Sequence, residues 1–185
     1  MAAYNPYRDR VNQKLHFARL LLTRGVEGGV DRGIDEKQKS AQDRSLEQAL
    51  FGGAVLHLGC AYRLYLQEVA ENYQCSPEGV VDIATLSAAL ARINKTPGEV
   101  QELVNLRTDV GSWLGQLLAV SEGQNLLQAK PPAVQQLSTS ASGASITAIT
   151  LIEELLPELN AERIMAWHGA FSDLVERQRE LMTEC

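Results

Sequence analysis

The chain has 185 residues, 45% hydrophobic and 22% charged, with a formal net charge of −6. Length and composition are those of one globular domain with a real hydrophobic core, which excludes collagen-like, disordered and disulfide-scaffold classes. The acidic balance argues against a nonspecific nucleic-acid binder, so nucleic acid is an unlikely partner.

The first helix is predicted from about Asn5 to Arg24. Asn5 suits the cap and Pro6 the first turn, and Tyr7, Val11, Leu15, Ala18 and Leu22 recur at helical steps with Phe17 and Leu21 beside them. Gly25, Gly28, Gly29 and Gly33 are expected to stop it. Ser40 and Asp43 fit a capping box ahead of a long helix from about Ala41 to Tyr73. That helix is apolar nearly all round between Ala49 and Leu66 and carries small residues at Gly52, Gly53, Ala54, Gly59 and Ala61, as a central helix packed on several sides would. Its uncharged apolar run, Ala49 to Tyr62, is about fourteen residues, short of the roughly twenty of a membrane span. The sequence reading therefore places no partner in the membrane.

Ser76-Pro77-Glu78 is a stop-and-restart signal, and Asp82 caps a short amphipathic helix to about Ile93. In Thr96-Pro97-Gly98-Glu99, Thr96 is expected as cap and Pro97 as first helical residue. Val100, Leu103, Val110, Trp113, Leu114 and Leu117 then follow along one broad face. The stretch at about 130–145, with Pro131, Pro132 and a Ser/Thr-rich run, reads as a flexible loop. β-branched residues from Ile146 to Ile152 would suit a strand, but Glu153-Glu154-Leu155-Leu156 favours helix, and helix is the reading adopted, ended by Pro157. Asn160 caps a final helix with Ile164, His168, Phe171, Val175 and Met182 on one face, Trp167 and Leu174 beside it. The expected architecture is all-α: a helical bundle of four long helices plus one or two short ones, a single domain over 1–185.

Cys60, Cys75 and Cys185 are odd in number and contain no CxxC, as expected of free thiols in a reducing, cytoplasmic setting; no signal segment is visible at the start. None of His16, His57 and His168 has a glutamate three residues before it, so the di-iron pattern of helix bundles is missing and no metal or cofactor is expected. Glycine-rich phosphate loops and a Gly-x-Ser-x-Gly elbow are missing too.

One enzymatic pattern is present. Arg163 and His168 are separated by four residues and Arg10 and His16 by five, which resembles the Arg-x4–6-His pair of helical HEPN-type ribonucleases. In that chemistry the histidine moves a proton and the arginine holds the phosphate charge. Three histidines and twelve arginines give about 0.6 such matches by chance, so the ribonuclease is an alternative reading and a half-buried core histidine the simpler one. A third reading is a small-molecule sensor with a pocket lined by His57, Tyr62 and Trp113. Trp113 and Trp167 otherwise belong to the core, and Tyr62, Tyr65 and Tyr73 are expected to close its end with hydroxyls reaching water.

The segments Asn5-Pro6-Tyr7-Arg8-Asp9-Arg10-Val11-Asn12-Gln13-Lys14-Leu15, Glu47-Gln48-Ala49-Leu50, His57-Leu58 and Ala61-Tyr62-Arg63 resemble an uncharacterised gammaproteobacterial family of small all-α cytoplasmic proteins, a domain of unknown function. The resemblance implies a source and no activity or site residues. The reading adopted is a non-enzymatic helical binding protein that meets a protein partner or a second copy of itself. The apolar central helix is expected to offer a groove or dimer face, while the polar first-helix stripe Arg8, Asn12, Lys14 and Arg19 would suit an acidic partner but reads more simply as a solvated face.

Overall fold

The computed structural model describes residues 5–30, 40–126 and 159–183, all helix and connecting turns. The expected loop at 130–145 and helix at 146–156 lie outside the described residues, as does Cys185. Helices α1 (Pro6–Val30), α2 (Ala41–Asn72), α3 (Ile83–Arg92), α4 (Gly98–Thr108), α5 (Trp113–Leu126) and α6 (Ala161–Thr183) follow in order, with a 3₁₀ turn at Pro77–Gly79 before α3. The all-α helical bundle is as the sequence implies.

Most helix starts are those the caps predict. The Asn5 side chain accepts from the Tyr7 amide. Ser40 and Asp43 form a reciprocal capping box, and Asp82 does the same with Thr85. Asn160 accepts from the Glu162 amide. Hydrogen bonds from Thr85 hold the Asp82 carboxyl below the usual carboxylate range. At α4 the cap residue is Pro97, not Thr96, and no side chain caps it.

Two other expectations need correction. Helix α1 does not stop at Arg24 but runs through Gly25, Gly28 and Gly29 to Val30. Gly25 is buried against the Phe51 ring, where an added Cβ would lie 2.6 Å from a ring carbon; the glycine serves close approach of two helices rather than termination. The face from Val100 to Leu117 is carried by two helices. The chain turns at Asp109–Ser112, with Asp109 accepting from Gly111 N and the Ser112 hydroxyl donating to the Leu106 carbonyl, and leaves Val110 82% exposed.

Helices α1 and α2 form an antiparallel pair. Asn5 donates to the Glu68 carbonyl and to Asn72, Phe17 meets His57, and Leu21 touches Gly53. Helix α6 runs parallel to α2, since Gln48 reaches Leu159, Tyr65 reaches Gln178 and Glu68 reaches Arg179. The core lies between them, with Phe51, Leu58, Leu66, Leu86, Leu103, Leu117, Ile164 and Phe171 buried. Helix α5 closes the remaining side, where Gly59 meets Ser121 so tightly that no Cβ would fit. By length and composition α2 is apolar enough to cross a membrane, but half of its most apolar window is buried inside this fold.

At one end of the bundle a polar network replaces apolar packing. Arg179 grips Glu68 with two bonds of 2.7 Å, their side chains 11% and 2% exposed. The same guanidinium donates to Asn12 Oδ1 at 2.9 Å and to the Arg8 carbonyl. Next to it the Tyr65 hydroxyl donates to Gln178 Oε1, and Gln178 donates to the Glu99 carbonyl and to Glu102. Glu102 also holds Arg177 in a two-bond pair, which keeps its carboxyl below the usual range. Removing one member of a buried pair strands the other charge. Arg179→Met is therefore expected to cost about 3–5 kcal/mol in chemical denaturation, and Glu68→Gln added to it to recover a large part of the loss. Equal stability of the single and double variants would show that the cost is packing and not the orphaned carboxylate.

Candidate functional site

The residues of the ribonuclease reading point in different directions from their helices. Arg163 is exposed on the first turn of α6. His168 is half-buried, with Nε2 3.0 Å from the Leu15 carbonyl oxygen. Five residues along a helix put the two side chains about 140° apart around its axis. The nitrogen that would move a proton is engaged in tying α6 to α1. Arg10 and His16 are likewise about 120° apart on α1.

The sensor residues divide into two places. Tyr62 and Trp113 both pack on Phe171, with ring centroids at 6.4 and 6.0 Å. His57 lies on the opposite flank of α2, edge-on to Phe17 at 5.5 Å. Tyr65 and Tyr62 do not send their hydroxyls to water. Tyr65 is buried and bonded to Gln178, while the buried Tyr62 hydroxyl has no hydrogen-bond partner among the described residues. Burial pushes both phenols well above their ordinary pKa. Trp167 is buried as expected, and Tyr73 reaches Glu99.

The stripe Arg8, Asn12, Lys14 and Arg19 does not form one surface. Asn12 and the Arg8 carbonyl turn to α6, where Arg179 takes both. Lys14 lies on the other flank of α1, its ammonium 5.9 Å from the Phe17 ring centroid. Around it is a different row, Arg10, Lys14, Phe17, Leu21 and Arg24, spaced alternately by four and three residues, which puts all five on the flank that meets α2. Arg10 and Arg24 are exposed, Phe17 is 36% exposed, and Leu20 beside it 52%.

The facing row on α2 is unusual for a helix surface. Gly53 abuts Leu21, and a Cβ there would lie 3.1 Å from the leucine methyl. Leu46, seven residues earlier on the same face, is 58% exposed, and Cys60, seven residues later, is half-buried with a free thiol. The α1–α2 flank is thus a partly apolar strip with Arg10, Lys14 and Arg24 on its α1 side. The alternating spacing of residues 10, 14, 17, 21 and 24 was available in the sequence. Phe17 and Leu21 read there as a widening of the core stripe, and only the packing of α2 shows that they lie at its edge.

A family model for a family of unknown function, DUF6586, matches residues 5–185. The chain belongs to that family. DUF6586 membership covers nearly the whole chain and brings no residue roles with it. No curated protein and no solved structure gives a significant match. What the DUF6586 chain can do chemically is therefore argued from its own side chains. Among the described residues no group of three His, Cys, Asp or Glu side chains is placed to hold a metal ion.

His57 reports on the flank. Burial, and next the Lys14 charge, hold its pKa below the ordinary 6.5. A base whose folded pKa is depressed binds fewer protons in the fold, so its contribution to stability is complete above 6.5 and declines as pH falls through the folded value. In an NMR titration His57 is expected to titrate below 6.5, and Lys14→Gln to raise its midpoint only part of the way back, burial being the larger cause. A midpoint above 6.5 in the wild-type chain would contradict this placement.

Proposed function

We propose that this protein is a non-enzymatic helical interaction module of the cytoplasm that takes a protein partner on the α1–α2 flank. The observation that carries the reading is the exposure of Phe17, Leu20 and Leu46 on the antiparallel α1–α2 pair. Apolar side chains gathered at a surface and rimmed by polar groups mark association sites more often than isolated ones do. The pair is a firm platform, because Asn5, Gly25 and Gly53 fix its register at both ends and in the middle. Engagement of the His168 Nε2 by a backbone carbonyl favours this reading over the ribonuclease, and separation of His57 from Tyr62 and Trp113 favours it over a pocket lined by all three. The free thiols of Cys60 and Cys75 suit a reducing compartment.

Photo-crosslinking tests the surface directly. A benzophenone amino acid replaces Leu20 or Leu46 in the native cell, with Glu176, exposed on α6, as the control position. Protein adducts of defined mass are expected from positions 20 and 46 and not from 176. Adducts equally frequent at all three positions, or absent from 20 and 46, would remove the reading; adducts of twice the chain mass would identify the partner as a second copy.

A further inference from the structure

We propose that the occupant of the α1–α2 flank is an acidic amphipathic helix, laid along the row Arg10, Lys14, Phe17, Leu21 and Arg24; this rests on the interaction-module reading and names its partner's chemistry. The row runs over fifteen residues, or about 21 Å of helix axis. Its alternation of four and three residues is the spacing with which one helix seats against another. The centre of the row is apolar and both ends are cationic, so the complementary helix has apolar side chains over one to two central turns and carboxylates beyond each end.

The cations are available for this. Arg107, Arg177 and Arg179 are each committed to a carboxylate, in pairs with Glu122, Glu102 and Glu68. Among the described residues no ion pair reaches Arg10, Lys14 or Arg24, and the Lys14 ammonium lies over the Phe17 ring and near His57, with neither of which it forms an ion pair. On a chain of net charge −6 this row is a local exception. It would steer an acidic segment to the flank while the rest of the surface repels it. Gly53 lets Leu21 pack close against α2, which leaves Phe17 as the exposed apolar centre of the row.

The same pattern argues against the other occupants. In a two-fold pairing of this face with antiparallel helices, Arg10 of one copy would approach Arg24 of the other and Lys14 would find no acid, so self-association here is opposed by like charges. A nucleic-acid backbone needs cations along the whole track, and here the middle of the track is Phe17 and Leu21.

The test is selection from a displayed library of helical 18-residue peptides, randomised on one face, against the full chain at low salt. Winning sequences are expected to carry net negative charge, with Asp or Glu flanking an apolar i, i+3, i+7 core. Their affinity is expected to fall about tenfold or more in the triple variant Arg10→Glu, Lys14→Glu, Arg24→Glu and severalfold between about 50 and 500 mM salt. All three positions lie at the surface edge, and an unchanged thermal melt of the variant confirms that it folds. Neutral or basic winners that Leu20→Asp still abolishes would overturn the acidic partner while leaving the docking flank in place. A library that yields no binder, winners indifferent to both variants, or tighter binding of the chain to anionic phosphatidylglycerol vesicles or single-stranded RNA than to any peptide would overturn the proposal outright.

Discussion

A bidentate ion pair between Glu68 and Arg179 sets the geometry on which the other contacts depend. Both groups are almost fully withdrawn from water, which is costly for each alone and acceptable only while they hold one another. That condition is met at one relative height of α2 and α6. The guanidinium also reaches Asn12 and the Arg8 carbonyl, so the height of α1 is set by the same residue. Sliding α2 past α6 by a turn would bury an unpaired charge, and sliding α1 would strip Arg179 of its bonds to Asn12 and the Arg8 carbonyl. Gln178, one residue before Arg179, extends the constraint to Tyr65, Glu102 and the start of α4. A polar cluster thereby fixes what the leucine-rich core leaves degenerate.

The remaining precision comes from missing side chains. Gly25 against Phe51, Gly53 against Leu21 and Gly59 against Ser121 are positions where a side chain of the neighbouring helix takes or crowds the space of a Cβ. Helix propensity counts against glycine at each of them, and packing prevails. This is the physical reason that the end of α1 was misplaced from sequence. Glycines at 25, 28 and 29 weigh as terminators when only local energies are counted, and Phe51, the residue that needs the first of them, lies on another helix.

Capping chemistry was legible because it is local: Asn5, Ser40, Asp82 and Asn160 each act within three residues of themselves. The break between α4 and α5 was not, since the apolar period runs through Val110 as though the helix continued, yet that valine faces water. The surface was harder still. Periodicity says which residues share a face of α1, but it does not say which neighbour covers each face. Asn12 and Lys14, close in sequence, end on opposite flanks because α6 takes one and α2 borders the other. Carboxylates such as Glu68 and Glu102, which neutralise Arg179 and Arg177, lie far from them in sequence, so the cations left over could not be identified from α1 alone.

The 111-residue separation between Glu68 and Arg179 has a kinetic side. Joining them closes a long loop, and the entropy of that closure is met only when much of the intervening chain is already ordered. The α1–α2 pair, by contrast, joins two helices that follow one another in the chain. Until α6 docks, the Glu68 carboxylate is hydrated and carries no penalty for lacking its partner. A contact that forms late in this way acts as a latch, slowing the departure of α6 more than it hastens its arrival.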